Sequence, residues 1–488
     1  LWMERLSRMK INDGVILITY PDSLGGNLKG LHRCMERYFG KCFHGIHILP
    51  FFPSTGDRGF APVRYDQVDP AFGTWEDIEA LKKDWDIYCD MMVNHISTES
   101  REFKDYLMKG EKSPYREMFL DFEEFWGSDY KTSPEYQLLY RRKEADPYIQ
   151  VKLGDGTVRK IWNTFRDTQV DIDVTKPVTK EYIRETIDGL LDHGISGIRL
   201  DAAGYVTKIK GTRCFCAEPQ LWEFLEPLNA YFEKKGRLMF TEIHARWEMA
   251  KKLEEHGIWT YDFVLPFLVL HAVVTGEAER LVEWMKNSPR NQFTVLDTHD
   301  GIGVYDADGW VERGEAEETI RKVEGNLSYA YRELHPEKKK YWESYQLYGT
   351  YFSILEEDEK RYLCARAIQL FAPGIPMVYY EGLLAGKNDI DGLMKSSDHR
   401  DINRHNFPWE EIDEHMNRSV VKRLIKLLEF RNNCPAFQGQ IQIQLKDRHS
   451  FLIERTWEDE AAVLECDLST GDFHIRRMCR QKWEELSI

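Results

Sequence analysis

A chain of 488 residues, 42% of them hydrophobic, can bury a large core and is expected to hold one big domain with smaller attachments. Its formal net charge of −16 disfavours nucleic acid as a partner and repels anionic substrates at long range, so any phosphate must be met by local cations. No apolar run reaches the roughly 18 residues of a membrane span, and the start, Leu1-Trp2-Met3-Glu4-Arg5, lacks a secretory apolar segment, so a cytoplasmic protein with no membrane partner is expected.

Taken in chain order, apolar strand-like runs recur at Val15–Tyr20, Ile46–Leu49, Ile87–Val93, Gly197–Asp201, Leu238–Glu242, Phe263–Leu265, Phe293–Asp300 and Pro376–Tyr380. Helical stretches separate them, for example Trp75–Leu81 and Thr179–Leu191. Eight such runs with helical crossovers predict an α/β fold, a (β/α)8 TIM barrel, more readily than an open sheet. Two connections are too long for ordinary loops. Residues 96–175, polar and aromatic with turns such as Gly154-Asp155-Gly156, read as an inserted subdomain. Residues 302–363, with a charged helical stretch from Glu315 to Glu337, read as a second. The barrel would then comprise 1–95, 176–301 and 364–437. Beyond it, 438–488 changes to short runs, Ile441–Leu445 with strict alternation and Ser450–Ile453, which predict a small antiparallel β domain.

Nine scattered cysteines form no disulfide framework. Cys214-Phe215-Cys216 is the only close pair and has no second pair at ligand spacing, so no metal site is expected. The 14 Trp and 24 Tyr suit sugar stacking, but a large core would also use them.

Alternation in Gly197-Ile198-Arg199-Leu200-Asp201 points Arg199 and Asp201 to one side of a strand, which fits either a buried ion pair or a reactive carboxylate. Two later runs also end in carboxylates, Glu242 and Asp300. In a barrel all three would converge on the face formed by the strand carboxyl ends. Three carboxylates in one pocket are costly without a task. Glycoside chemistry supplies one, with one carboxylate attacking the sugar carbon and another protonating the leaving oxygen.

With these strand ends the chain resembles the α-amylase clan (glycoside hydrolase family 13), and more closely its sucrose phosphorylase subfamily. The matching segments are Asp90-Met91-Met92-Val93-Asn94-His95, Gly197 to Tyr205, Glu242-Ile243-His244, Val295 to Gly303, Phe371 to Tyr380, Leu384 to Asp389 and Arg400 to His405. The likeness extends from about residue 12 to 437. It implies that Asp201 is the nucleophile, Arg199 its orienting cation, Glu242 the acid/base and Asp300 a stabiliser of the oxocarbenium-like transition state. The clan retains configuration, so Asp201 and Glu242 are expected roughly 5–5.5 Å apart, with Glu242 protonated at the outset.

The resemblance further implies that His95 and His299 bind glucosyl hydroxyls, with Asp57, Phe60, Phe165 and Arg400 or Arg404 completing the pocket. His244 and Tyr205 match positions that touch phosphate. Tyr345-Gln346 matches the subfamily, but the preceding Trp342-Glu343-Ser344 departs from it on the side that meets the fructosyl group in relatives. Arg141-Arg142-Lys143, in the first insertion, reads either as a solvated loop or as a clamp for a phosphate on the leaving sugar. His335 and Lys338–Lys340 lie in the other covering loop. The expected activity is phosphorolysis of sucrose 6-phosphate to α-glucose 1-phosphate and fructose 6-phosphate; the alternatives are plain sucrose or another glucosyl acceptor, a glucosidase or transglucosylase on the same scaffold, and, from another class, an inactive amylase-like binding subunit, which the three intact carboxylates disfavour. Inorganic phosphate is then a co-substrate beside the sugar, no cofactor is expected, and relatives imply a homodimer.

Overall fold

Eight parallel strands close into a barrel in strict chain order: β1 (Ile16–Thr19), β2 (Gly45–Ile48), β3 (Asp86–Met92), β4 (Gly197–Asp201), β5 (Leu238–Thr241), β6 (Trp259–Asp262), β7 (Gln292–Thr294) and β8 (Ile375–Tyr379), with β8 returning to pair with β1. The computed structural model describes residues 12–331, 346–396 and 398–488. These form two compact units, one of Ile48–Ile243 and one of the residues up to His47 with His244–Ile488. None of the nine cysteines is in a disulfide. Among the described residues, no helix is long and apolar enough to cross a membrane.

The barrel strands are buried along nearly their whole length, as both-face coverage by helices requires. The helix Trp75–Leu81 starts at a capping box, where Thr74 N donates to Asp77 Oδ2 at 2.9 Å. The helix Pro177–Asp192 starts with proline at its first position, where the missing N–H costs nothing.

Three expectations need correction. The sixth strand is Trp259–Asp262, four residues before the predicted run, and Leu265 instead opens the helix Leu265–Thr275. Asp262 ends that strand and caps the helix, accepting from Val264 N and Leu265 N at 3.1 and 2.9 Å. The seventh strand stops at Thr294, because Asp297 leaves the ladder to accept both Arg366 Nη2 contacts, at 2.9 and 2.8 Å, in a buried ion pair. The charged helix of the second long connection runs only from Arg313 to Val323. It is followed by 3-10 turns at Glu324–Asn326 and Ser328–Tyr331. Residues 332–345, with His335, Lys338–Lys340, Trp342, Glu343 and Tyr345, lie outside the described residues.

Within Ile48–Ile243, the long connection after β3 carries its own apolar clusters. One joins Ile96, Phe103, Met118, Ile161, Val170 and Ile172, and the other Phe122, Trp126, Tyr130, Tyr136 and Trp162. A hairpin pairs Tyr148–Lys152 with Val158–Trp162, and His95–Ser97 pairs antiparallel with Gln169–Asp171, setting His95 opposite Asp171. At the hairpin's end Gly154 is required, since a Cβ there would lie 2.2 Å from the Met108 carbonyl oxygen.

In the other unit, Ile302–Gly303 pairs antiparallel with Gln346–Leu347, so the two ends of the second connection meet. A five-stranded antiparallel sheet follows, with Gln440–Leu445, Ser450–Trp457, Glu460–Asp467, Asp472–Cys479 and Lys482–Glu485 in sequential order. The first of these alternates between exposed and half-buried residues, as its sequence predicts.

Candidate active site

The end of β4 carries the first set of groups. Arg199 and Asp201 share a face, and Arg199 Nη1 donates to Asp201 Oδ1 at 2.8 Å and also to Asp90 Oδ1, on the neighbouring strand β3. Arg199 is 2% exposed and Asp90 fully buried, so this cation is held between two carboxylates beneath the nucleophile candidate. The guanidinium lies 5.7 Å from the ring of Phe60.

Glu242 follows β5 directly, and its Oε2 accepts from Ala202 N at 2.9 Å. To aim that amide, Ala202 takes φ +53°, a left-handed conformation rarely adopted by alanine and worth about 1–2 kcal/mol of strain. A single peptide thus ties the residue after Asp201 to the acid/base candidate.

The same unit holds four of the predicted sugar-binding groups. His95 Nε2 faces the Phe60 carbonyl oxygen at 3.0 Å, so that nitrogen carries the proton. Burial pushes the His95 pKa down, keeping the ring neutral. The ring packs edge-on to Phe165 at 5.4 Å, and Phe165 packs on Tyr205 at 5.1 Å. Asp57 lies 3.3 Å from Arg166 Nη2, on a turn where Asp57 and Arg58 both have positive φ.

Tyr205 is buried, and among the described residues its hydroxyl has no hydrogen-bond partner. A buried orphan hydroxyl is costly unless a ligand takes it up. Tyr140 stacks on Tyr205 at 6.2 Å and 14°, and Phe215 packs on Tyr205 at 4.7 Å. Of the three adjacent cations Arg141, Arg142 and Lys143, Arg142 is exposed, with Nη1 3.4 Å from the Tyr140 hydroxyl. Arg141 is exposed beside Tyr136. Lys143 turns inward: its Nζ bonds Asn163 Oδ1 and faces Asp167 Oδ1 at 3.7 Å, and burial lowers its pKa.

Sequence reasoning missed Lys208. Its ammonium, 4% exposed, donates to Asp171 Oδ2 and Asn94 Oδ1 at 2.8 Å each and bonds the Tyr205 carbonyl oxygen. It lies 5.4 Å from the Trp162 ring. This one cation joins the loop after β4 to the Asn94-His95 segment and to the strand opposite it. No spacing rule marks it, since Lys210 and Arg213 lie close by in the same stretch.

The second unit gathers the remaining groups. Asp300 accepts from Arg400 Nη1 at 3.3 Å, with Arg404 Nη2 at 3.8 Å and His299 Nε2 3.2 Å from its other oxygen. Both candidate arginines therefore reach this carboxylate. Arg404 Nε also donates to the His299 carbonyl oxygen at 2.9 Å, and Tyr20 packs edge-on to His299 at 6.0 Å. His244 stacks on Phe263 at 3.8 Å, faces Asp306 Oδ2 through Nδ1 at 3.2 Å, and meets the Gln346 amide through Nε2 at 3.2 Å.

The α-amylase catalytic-domain family model matches residues 10–298. A sucrose phosphorylase of Streptococcus mutans is 41% identical over 473 residues, covering 96% of this chain and 98% of that protein. A sucrose 6(F)-phosphate phosphorylase of Thermoanaerobacterium thermosaccharolyticum is 42% identical over 473 residues, covering 95% and 96%. The crystal structure of sucrose 6F-phosphate phosphorylase from Thermoanaerobacter thermosaccharolyticum matches with a TM-score of 0.93 at 40% identity, covering 99% of each chain. The chain belongs to the sucrose phosphorylases of the α-amylase family, which are glycosyltransferase-type enzymes.

Proposed function

We propose that the enzyme is a retaining phosphorylase of sucrose 6-phosphate, with the leaving fructosyl group carrying the phosphate. In the first half-reaction an Asp201 oxygen attacks the anomeric carbon while the Glu242 carboxyl gives its proton to the glycosidic oxygen. Fructose 6-phosphate departs, leaving a glucosyl ester on Asp201. In the second, a phosphate oxygen attacks that carbon, the ester bond breaks, Glu242 takes up the phosphate proton, and α-glucose 1-phosphate leaves.

Arg199 keeps Asp201 ionised and oriented, and the Ala202 amide fixes Glu242 beside it. All strand carboxyl ends of a parallel barrel open on one face, which supports Asp300, His299, Arg400 and Arg404 in stabilising the charge that develops on the glucosyl ring. His95, Asp57, Phe60 and Phe165 would hold the glucosyl unit, and Tyr205, His244 and Gln346 the phosphate. The chemistry draws on inorganic phosphate as co-substrate and calls for no resident cofactor or metal.

The observation that carries the choice of leaving group is Arg142, exposed and set against Tyr140, whose ring covers Tyr205. A guanidinium there can take a phosphate monoester through charge-assisted bonds, each contributing about 1.5–3 kcal/mol, a roughly tenfold or greater preference. The test compares kcat/KM for sucrose and sucrose 6-phosphate in wild type and Arg142→Ala. Selective loss of the phosphorylated substrate supports the reading, and equal values for both substrates in wild type overturn it. Plain sucrose is the second reading, favoured by the Streptococcus mutans enzyme at nearly the same identity.

A further inference from the structure

Asp306 is fully buried, and its carboxylate lies 3.2 Å from Nδ1 of His244. A carboxylate only accepts, so Nδ1 carries the proton and Nε2 keeps a lone pair. Two further contacts agree: Tyr348 donates its hydroxyl proton to Gln346 Oε1 at 3.4 Å, and Gln346 Nε2 donates to His244 Nε2 at 3.2 Å. The chain Tyr348–Gln346–His244–Asp306 therefore runs in one direction.

The backbone makes room for it. A Cβ on Gly303 would fall 2.1 Å from Asp306 Oδ2, and Gly303 is the strand partner of Gln346. Phe263, stacked on the imidazole, fixes the plane of the ring.

We propose that Asp306 is a positioning residue for phosphate capture. It fixes the His244 imidazole and backs the imidazolium formed when dihydrogen phosphate displaces the Gln346 amide and passes one of its two protons to Nε2, the other going to Glu242 as the phosphate oxygen attacks. The inference rests on the phosphorylase reading and adds the residue that biases the glucosyl-enzyme toward phosphate over water. Asp306 acts on phosphate through His244, so its loss falls on the second half-reaction.

The test uses the full-length enzyme with α-glucosyl fluoride as donor, which reports glucosylation by fluoride release without a sugar leaving group. In Asp306→Asn, KM for inorganic phosphate is expected to rise at least about tenfold and the glucose to glucose 1-phosphate product ratio to rise with it, while fluoride release falls less than about threefold. Adding Asp306→Asn to His244→Ala should raise KM for phosphate no further, because the two side chains act as one unit. Should the asparagine variant not fold, Asp306→Ser carries the same expectations. Unchanged KM for phosphate, equal loss in both half-reactions, or additive effects with His244→Ala overturn the proposal. A wild type that makes glucose 1-phosphate while Asp306→Asn keeps its phosphate KM removes the positioning role alone. A wild type that makes only glucose removes the phosphorylase reading as well.

Discussion

Two groups of cations in Ile48–Ile243 are built on opposite principles. Arg199 and Lys208 are buried, each held between acceptors drawn from different segments of chain. Arg141 and Arg142 lie exposed on a connection whose local partners are tyrosines. The buried pair joins several segments of chain, so any change there disturbs all of them at once. The exposed pair can change at little cost to folding. On the proposed mechanism the difference separates a glucosyl half of the reaction set by the scaffold from a leaving group chosen at the surface, and relatives at 41% and 42% identity bear different substrate names.

The buried side can be broken hardest at the carboxylates. Asp201→Asn and Glu242→Gln should each fold and lose at least about 10³-fold in turnover, measured as glucose 1-phosphate release. Near-normal turnover in either purified variant would remove the assignment. Next comes Lys208→Met, which strands Asp171 without its cation. Unfolding in urea should show a loss of about 3–5 kcal/mol, with part of it recovered in the double variant with Asp171→Asn. A loss under about 1 kcal/mol would mean that the buried cation is not what joins these segments.

On the exposed side, Arg142→Ala should leave the melting temperature within about 1–2 °C and cut kcat/KM for sucrose 6-phosphate about tenfold, with sucrose unaffected. The smallest effect belongs to a half-buried charge in the other unit. His405 places Nδ1 3.0 Å from Asp389 and Nε2 2.7 Å from Glu411. Burial opposes its charge, but the two carboxylates outweigh burial and raise its pKa above the ordinary 6.5. The stability it lends is therefore full below about pH 6.5 and is lost as pH rises through the raised folded value. Melting temperatures taken from pH 6 to 9 should decline in wild type and flatten in His405→Gln; parallel curves would assign the decline elsewhere.

The barrel was legible because apolar runs spaced by helical stretches, and carboxylates at the strand ends, leave a direct trace, as in Arg199 and Asp201 on one face of β4. It was misread where that trace is masked. β6 reads Trp-Thr-Tyr-Asp, and its polar side chains are buried among partners such as Gln292 and Trp284, which both bond Asp262. The more apolar Phe263-Val264-Leu265 drew the reading toward the start of a helix that is buried all round. The β7 run looked longer than it is because Asp297 finds its cation on a helix nearly 70 residues away. Lys208 and Asp306 stayed hidden for the same reason: a lone charged residue becomes meaningful only through partners that no local spacing reveals.

Ala202 has a consequence for heat tolerance. Its left-handed backbone stores strain beside Asp201, and its amide is the group that grips Glu242. Replacement by glycine relieves the strain but frees the peptide, adding about 0.5–1 kcal/mol of conformational entropy to be lost on folding. A search for thermostable variants scored on melting temperature alone would find little to choose between alanine and glycine at this position. On the proposed mechanism turnover would separate them, because a freer peptide would loosen the one amide that holds Glu242 in its bearing, a change that melting temperature alone does not register.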